Sequence, residues 1–294
     1  MNLIDIIRQC VPPSVDISYM YFAPAVLYFT IALRSRKSTD QWERIVSDFE
    51  ATLYSIFNQT CEDFCVYVGC NEIPELKYAF DTRLRFVCVD TPKPKDWLDG
   101  CRDRAWKQLA CCAQIKKDWG ASLSNDGVFV FPVDADDFVN QKCVAYVKAH
   151  SNANGFKSPK GYRWNKGSRR MEISPYFGGT MNIMKLRPDE LPDELPDISL
   201  CFDKSTCGQL NEKYPVRWDD IAVEEKMAQL GRPLEKLPFR STIYVLSTGA
   251  NLSNDDPRHG TTEKKIHWGV LLKKINILNW KCMNKKIRQE FGIQ

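Results

Sequence analysis

Four strand-length apolar runs, separated by longer stretches of helical periodicity, constrain this chain more than any other feature. The runs are Leu27 to Leu33, Phe64 to Gly69, Arg85 to Val89 and Val128 to Val133. A run with no polar alternation reads as a strand covered on both faces, the pattern of a parallel sheet. After the first run, Ser38-Thr-Asp-Gln41 reads as a capping box. Behind it Trp42, Ile45, Val46, Phe49, Leu53, Ile56 and Phe57 recur at helical spacing. Before the fourth run, Asp99 is placed to cap a helix whose buried face is Cys101, Ala105, Leu109, Cys112 and Ala113. Strands alternating with helices predict an α/β fold with a mostly parallel sheet flanked by helices, and ligands beyond the carboxyl ends of its strands.

After about residue 150 the periodicity changes. Ser151 to Arg170 is polar, basic and interrupted by Gly155, Gly161 and Gly167, which predicts a hairpin or loop. Tyr176 to Met184 reads as a strand entered through Gly178 and Gly179. The tandem Pro-Asp-Glu-Leu between Pro188 and Asp197 reads as a solvated surface loop. Trp218-Asp219-Asp220 opens a short helix carrying Val223, Met227 and Leu230. From Arg258 onward basic residues far outnumber the two acids Glu263 and Glu290. There Ile266, Val270, Leu271, Ile275, Leu278 and Trp280 interleave with lysines as in a basic amphipathic helix.

A chain of 294 residues with 44% hydrophobic content can bury one large core, and a net charge of +4 is too weak to imply nucleic-acid binding. Its 12 scattered cysteines lack zinc-site spacing and suit free thiols in a reducing compartment. The uncharged stretch Ile17 to Leu33 is broken by Pro24 and falls short of the ~20 apolar residues of a membrane span. It reads as two extended segments, the second a buried strand, and the expected location is the cytoplasm.

The fourth apolar run ends in Asp134-Ala135-Asp136-Asp137. Carboxylates crowded at a strand end raise one another's pKa, and a divalent cation relieves that penalty. Magnesium or manganese held by one or two carboxylates keeps positions that substrate phosphates can fill. The other reading of this segment is a solvated acidic turn.

Four ordered features carry a family resemblance: Ala32-Leu-Arg-Ser35, Ser55-Ile-Phe-Asn-Gln-Thr60, Glu62-Asp-Phe-Cys-Val66 and Asp134-Ala-Asp-Asp137. Together they resemble the amino-terminal half of GT-A fold, nucleotide-sugar-dependent glycosyltransferases, and more narrowly the rhamnosyltransferase group. The resemblance implies a single domain over 1–294, with a donor half (27–140), a variable acceptor half (141–260) and the basic helix (261–294). It implies that Asp134 and Asp136 hold Mn2+ or Mg2+ against the diphosphate of a UDP-, GDP- or dTDP-linked sugar, with His259 as a further ligand in preference to His150 or His267. Arg34, Asn71, Glu72, Asp90 and Arg104 become donor contacts, with Asp134 and Asp137; Arg102 and Arg104 lie two apart on a helix, so at least one of them belongs to a solvated face. Gly178 and Gly179 would let the backbone approach the donor sugar. Asp219, or next to it Asp220, would be the general base of an inverting transfer to a glycan hydroxyl.

Two rivals stay open. A nucleotidyltransferase also places carboxylates and metal at a sheet edge, although Arg34-Ser-Arg-Lys37 lacks the glycine of its usual phosphate loop. A non-catalytic nucleic-acid or membrane-binding protein would use the basic carboxyl terminus, and peripheral contact with an anionic membrane is compatible with the transferase reading too.

Overall fold

The computed structural model describes residues 25–123, 126–175, 178–217, 222–246 and 279–293. The four apolar runs become β1 (Leu27–Ala32), β2 (Phe64–Cys70), β3 (Leu84–Cys88) and β4 (Val128–Val133). They pair in the order β3-β2-β1-β4, all parallel. Burial explains their composition: β1, β2 and β4 are covered along their length apart from half-buried Ala32, whereas β3, at the sheet edge, is half-buried and ends on exposed Cys88.

Side chains alternate between two cores. Leu27, Phe29 and Ile31 of β1 face one with Phe64, Val66, Phe129 and Phe131. Tyr28 of β1 faces the other with Tyr67, Val128 and Val130. The first core is roofed by α1 (Trp42–Phe57), through Ile45, Phe49, Leu53 and Ile56, and by α3 (Cys143–Ala149). The second is roofed by α2 (Trp97–Trp119), through Trp106, Leu109, Cys111, Cys112 and Ile115. This is the α/β, Rossmann-like class that the strand–helix alternation predicted.

The sheet continues past β4 through three strands from beyond residue 150. β9 (Asn182–Leu186) runs antiparallel to β4, then come β6 (Gly155–Lys157) and β10 (Glu235–Lys236). Because β9 pairs with Val128 to Val130, the far half of β4 has no strand partner on that side among the described residues, where Pro132 is tolerated. A second, five-stranded sheet has the order β12-β8-β7-β11-β5. It comprises β5 (Phe138–Val139), β7 (Gly161–Asn165), β8 (Arg170–Ser174), β11 (Thr242–Leu246) and β12 (Trp280–Cys282). The polar stretch from Ser151 to Arg170 is thus β6, β7 and the start of an antiparallel β7–β8 hairpin.

Several local expectations need correction. α1 is not entered through a capping box: Gln41 is its N-cap without a side-chain bond, and Arg36–Ser38 forms a separate helical turn. The cap of α2 is Asp96, whose carboxylate accepts the Asp99 N–H at 2.8 Å. Its buried face is rotated toward Trp106, Ala110, Cys111 and Ile115, leaving Cys101, Ala105 and Ala113 half-buried. The Pro-Asp-Glu-Leu tandem is not simply solvated: Leu191 is buried, and Glu190 takes a bidentate ion pair from nearly buried Arg232. The helix after Trp218 is present as α5 (Val223–Gln229), following α4 (Lys204–Lys213), but Leu230 is 53% exposed. The segment 261–294 is not one continuous helix. Residues 261–278 lie outside the described residues, Trp280–Cys282 pairs with β8, and the helix α6 spans Lys285–Glu290, with Ile287 and Phe291 packed under the second sheet. All eleven described cysteines are free, and among the described residues no helix is long and apolar enough to cross a membrane.

Candidate active site

Strand β1 has β2 on one side and β4 on the other, so chain order reverses between β1 and β4. In an open parallel sheet such a switch point leaves a crevice beyond the carboxyl ends of the two strands. Register places Ile31 beside Val133, so Asp134 leaves β4 where β1 runs out toward Arg34.

Asp134 is about one-fifth exposed and ion-paired at 2.8 Å with Arg104, which reaches up from α2. Gly179 closes over this pair. A Cβ there would overlap the Arg104 guanidinium and lie 2.8 Å from Asp134 Oδ2. Its neighbour Gly178 has a φ of +98° and packs against the Tyr244 ring, so a Cβ at either glycine would meet a side chain at close range. What they approach is the Arg104–Asp134 pair and Tyr244.

Thr180, next in line, organises the acidic turn. Its hydroxyl accepts the Asp134 N–H at 2.9 Å and donates to Asp137 Oδ2 at 2.6 Å. The other Asp137 oxygen accepts the Val245 N–H at 3.1 Å. Asp137 is fully buried, and burial first, then the carboxylates of Asp134 and Asp136, push it well above the usual carboxylate range. It faces inward and fixes the turn to Thr180 and β11.

Asp134 and half-buried Asp136 are left as the carboxylates able to hold a cation. Among the described residues no group of three or more His, Cys, Asp or Glu side chains is arranged as a metal site. Asp134 at the end of β4 and Asp136 two positions on are oxygen donors of the kind magnesium or manganese takes beside phosphate and water. His259, His267, Asp219 and Asp220 lie outside the described residues.

The other sites expected from the sequence divide. Arg34 is half-buried and bound to Ser38, its Nη2 donating to the carbonyl at 3.0 Å, and it stays at the crevice as β1 ends. Asn71 donates through Nδ2 to the Thr91 carbonyl at 2.8 Å and to the Thr91 hydroxyl oxygen at 3.1 Å. The Glu72 carboxylate accepts from the Ser35 hydroxyl and the Arg36 N–H, tying the exits of β1 and β2 together. Asp90 makes an exposed ion pair with Lys37 at 3.1 Å. Arg102 turns away, binding Asp99 at 3.1 Å and the Phe202 carbonyl at 3.1 Å. His150 caps the carboxyl end of α3, with its ring stacked on Tyr146 at 4.0 Å.

A buried polar chain below the crevice was not anticipated. Lys107 is fully buried, with Nζ 2.8 Å from Asp103 and 3.0 Å from the Leu33 carbonyl. Asp103 also accepts from Thr91 at 2.5 Å, and Thr91 holds Asn71. The chain thus links the ends of β1 and β2, through α2, to the segment after β3. Its sequence signal is an acid and a base four residues apart that flank Trp106 on the apolar side of α2.

No protein-family model matches the chain, and no curated protein matches it. Among solved structures it is similar to S. aureus TarS, residues 1–349, with 12% identity and a TM-score of 0.36. The match covers 74% of this chain and 60% of that one, less than two thirds of it. At this level the likeness carries no argument about chemistry.

Proposed function

We propose that the chain is a metal-dependent glycosyltransferase that moves a sugar from a nucleoside diphosphate to a hydroxyl of a glycan acceptor. The observation that supports this most is Asp134 at the switch-point end of β4, paired with Arg104 and covered by the backbone of Gly179. A carboxylate and a guanidinium side by side at a crevice mouth complement a cation and a diphosphate together.

In this reading Asp134 and Asp136 hold Mn2+ or Mg2+, which when bound offsets the negative charge of the departing nucleoside diphosphate. Arg104 donates to diphosphate oxygens, and Arg34 lines the opposite wall. Asn71, oriented by Thr91, lines the nucleotide side of the crevice. Asp219 or Asp220, from the chain between Arg217 and Ala222, takes the proton from the acceptor hydroxyl. The donor is a UDP-, GDP- or dTDP-linked hexose or deoxyhexose such as rhamnose. The lack of glycine in Arg34-Ser-Arg-Lys37 counts against a nucleotidyltransferase.

Thermal shift and calorimetry with a panel of nucleoside diphosphates and nucleotide sugars, with and without manganese, test this directly. One nucleotide should stabilise the protein, more so with manganese, and Asp136→Ala should lose the manganese-dependent part. Turnover should fall ~10²–10⁴-fold in Asp219→Asn or Asp220→Asn with donor binding retained, as loss of a general base does. No response to any nucleotide, or an Asp136→Ala variant of normal behaviour, would sink the assignment.

A further inference from the structure

The outer face of the second sheet carries one continuous row of side chains across four strands. Tyr244 of β11 pairs with Arg163 of β7, Arg163 with Glu172 of β8, and Glu172 with Trp280 of β12. Neighbours one position away on these strands, Tyr162, Trp164, Met171, Ile243 and Val245, point into the core beneath, so the row points outward. It begins at the crevice, because the Tyr244 ring packs on Gly178 and the adjoining Gly179 covers Arg104 and Asp134. Strands ~4.8 Å apart make the row on the order of 14 Å long. Trp280, at the far end, is 42% exposed.

We propose that this row is an acceptor platform that binds a neutral oligosaccharide, feeding its terminal sugar to the crevice; the proposal rests on the glycosyltransferase reading above. Chemistry selects the ligand. The exposed Trp280 ring offers an apolar face to the C–H side of a pyranose, and half-buried Tyr244 closes the other end of the row. Between them Arg163 brings only donors and Glu172 only acceptors, matching hydroxyls that both donate and accept. The two are 3.7 Å apart, with side chains 37% and 44% exposed, so neither is locked in a tight pair. Their charges cancel, which separates this row from a surface built to hold phosphates. A bound chain would lie along it with one end at Tyr244, beside Asp134, where transfer takes place.

The test uses the full chain on an array of neutral hexose and deoxyhexose oligosaccharides of increasing length, with nucleoside diphosphate and manganese present. At least one series should bind, more tightly as its chains lengthen toward the span of the row. Trp280→Ala and Glu172→Ala should each weaken binding about tenfold, and Trp280→Phe should restore most of it. Thermal midpoints of the variants identify any that fail to fold. Wild-type protein that binds no oligosaccharide of the array would overturn the platform, as would binding indifferent to both alanine variants. Salt-sensitive retention on anionic vesicles or single-stranded DNA, uncompeted by oligosaccharide, would overturn it in favour of a charge-driven surface. Nucleotide binding is read on the same samples. If nucleotide binds and glycan does not, the platform alone fails; if glycan binds and no nucleotide does, the transferase reading fails.

Discussion

Thr180 donates its hydroxyl proton to the buried carboxyl of Asp137 at 2.6 Å. The same oxygen accepts the N–H of Asp134 at 2.9 Å, so one side chain sets both ends of the acidic turn. Asp137 is thereby spent on holding the turn to β11, while Asp134 stays half-buried beside Arg104. An apparent cluster of three like carboxylates is resolved by burying one of them with its lone pairs satisfied.

Asp137→Ala should therefore act first on stability. It removes the acceptor of the Thr180 hydroxyl proton and of the buried Val245 N–H, at a cost of about 2–5 kcal/mol for two such groups. The denaturant midpoint should fall accordingly. A variant within about 0.5 kcal/mol of wild type would show that water or another group satisfies these donors.

Gly179→Ala should show the opposite balance. Its Cβ meets the flexible end of Arg104 and a carboxylate oxygen, both of which can move aside. The thermal midpoint should change little, while manganese-enhanced nucleotide binding falls at least ~10-fold because the Arg104–Asp134 pair is separated. Unchanged binding would mean that the pair is not part of the donor site.

Lys107→Ala should destabilise by about 3–5 kcal/mol, because it leaves Asp103 charged and nearly buried. Replacing the pair together, Lys107→Met with Asp103→Leu, should recover much of that loss. The double variant should still bind nucleotide less well, since Thr91 and Asn71 lose their anchor at Asp103. Chemical denaturation and calorimetry separate the two effects, and a stable double variant with full nucleotide affinity would confine the chain to a packing role.

Thiol labelling reads the layering of the fold. Burial pushes Cys112 up to about 12, and burial followed by the neighbouring Cys88 does the same for Cys70. Both thiolate population and access are then minimal near pH 8, whereas Cys88 and Cys282 are exposed. Iodoacetamide should modify Cys88 and Cys282 within the native state. Cys111, Cys112 and Cys143 should react only on unfolding, at a rate that follows denaturant. Early labelling of Cys112 would contradict the placement of α2 against the sheet.

Leu27–Ala32, Phe64–Cys70 and Val128–Val133 were legible from the sequence because a strand covered on both faces has room for almost no polar side chain. The stripe of α1 from Ile45 to Ile56 was legible for the same reason at helical period. So was the position of Asp134 at the end of a parallel strand. These are short-range consequences of burial, and the local pattern alone carries them. The role of Asp137 was not legible, because its partners Thr180 and Val245 stand 43 and 108 residues further along the chain. Nor was the face of α2 that carries Arg104 and Lys107, since helical spacing fixes a stripe but not which polar residue finds a partner beneath the strand ends. The carboxyl-terminal segment shows the limit most plainly. Its alternation of lysine and apolar residues suits an amphipathic helix, yet Trp280–Cys282 pairs with β8, because the edge of the second sheet offers backbone hydrogen bonds that no local pattern records. The sequence by itself determined which segments are buried and with what period; the tertiary structure decided which distant groups meet there, because topology alone sets those long-range partners.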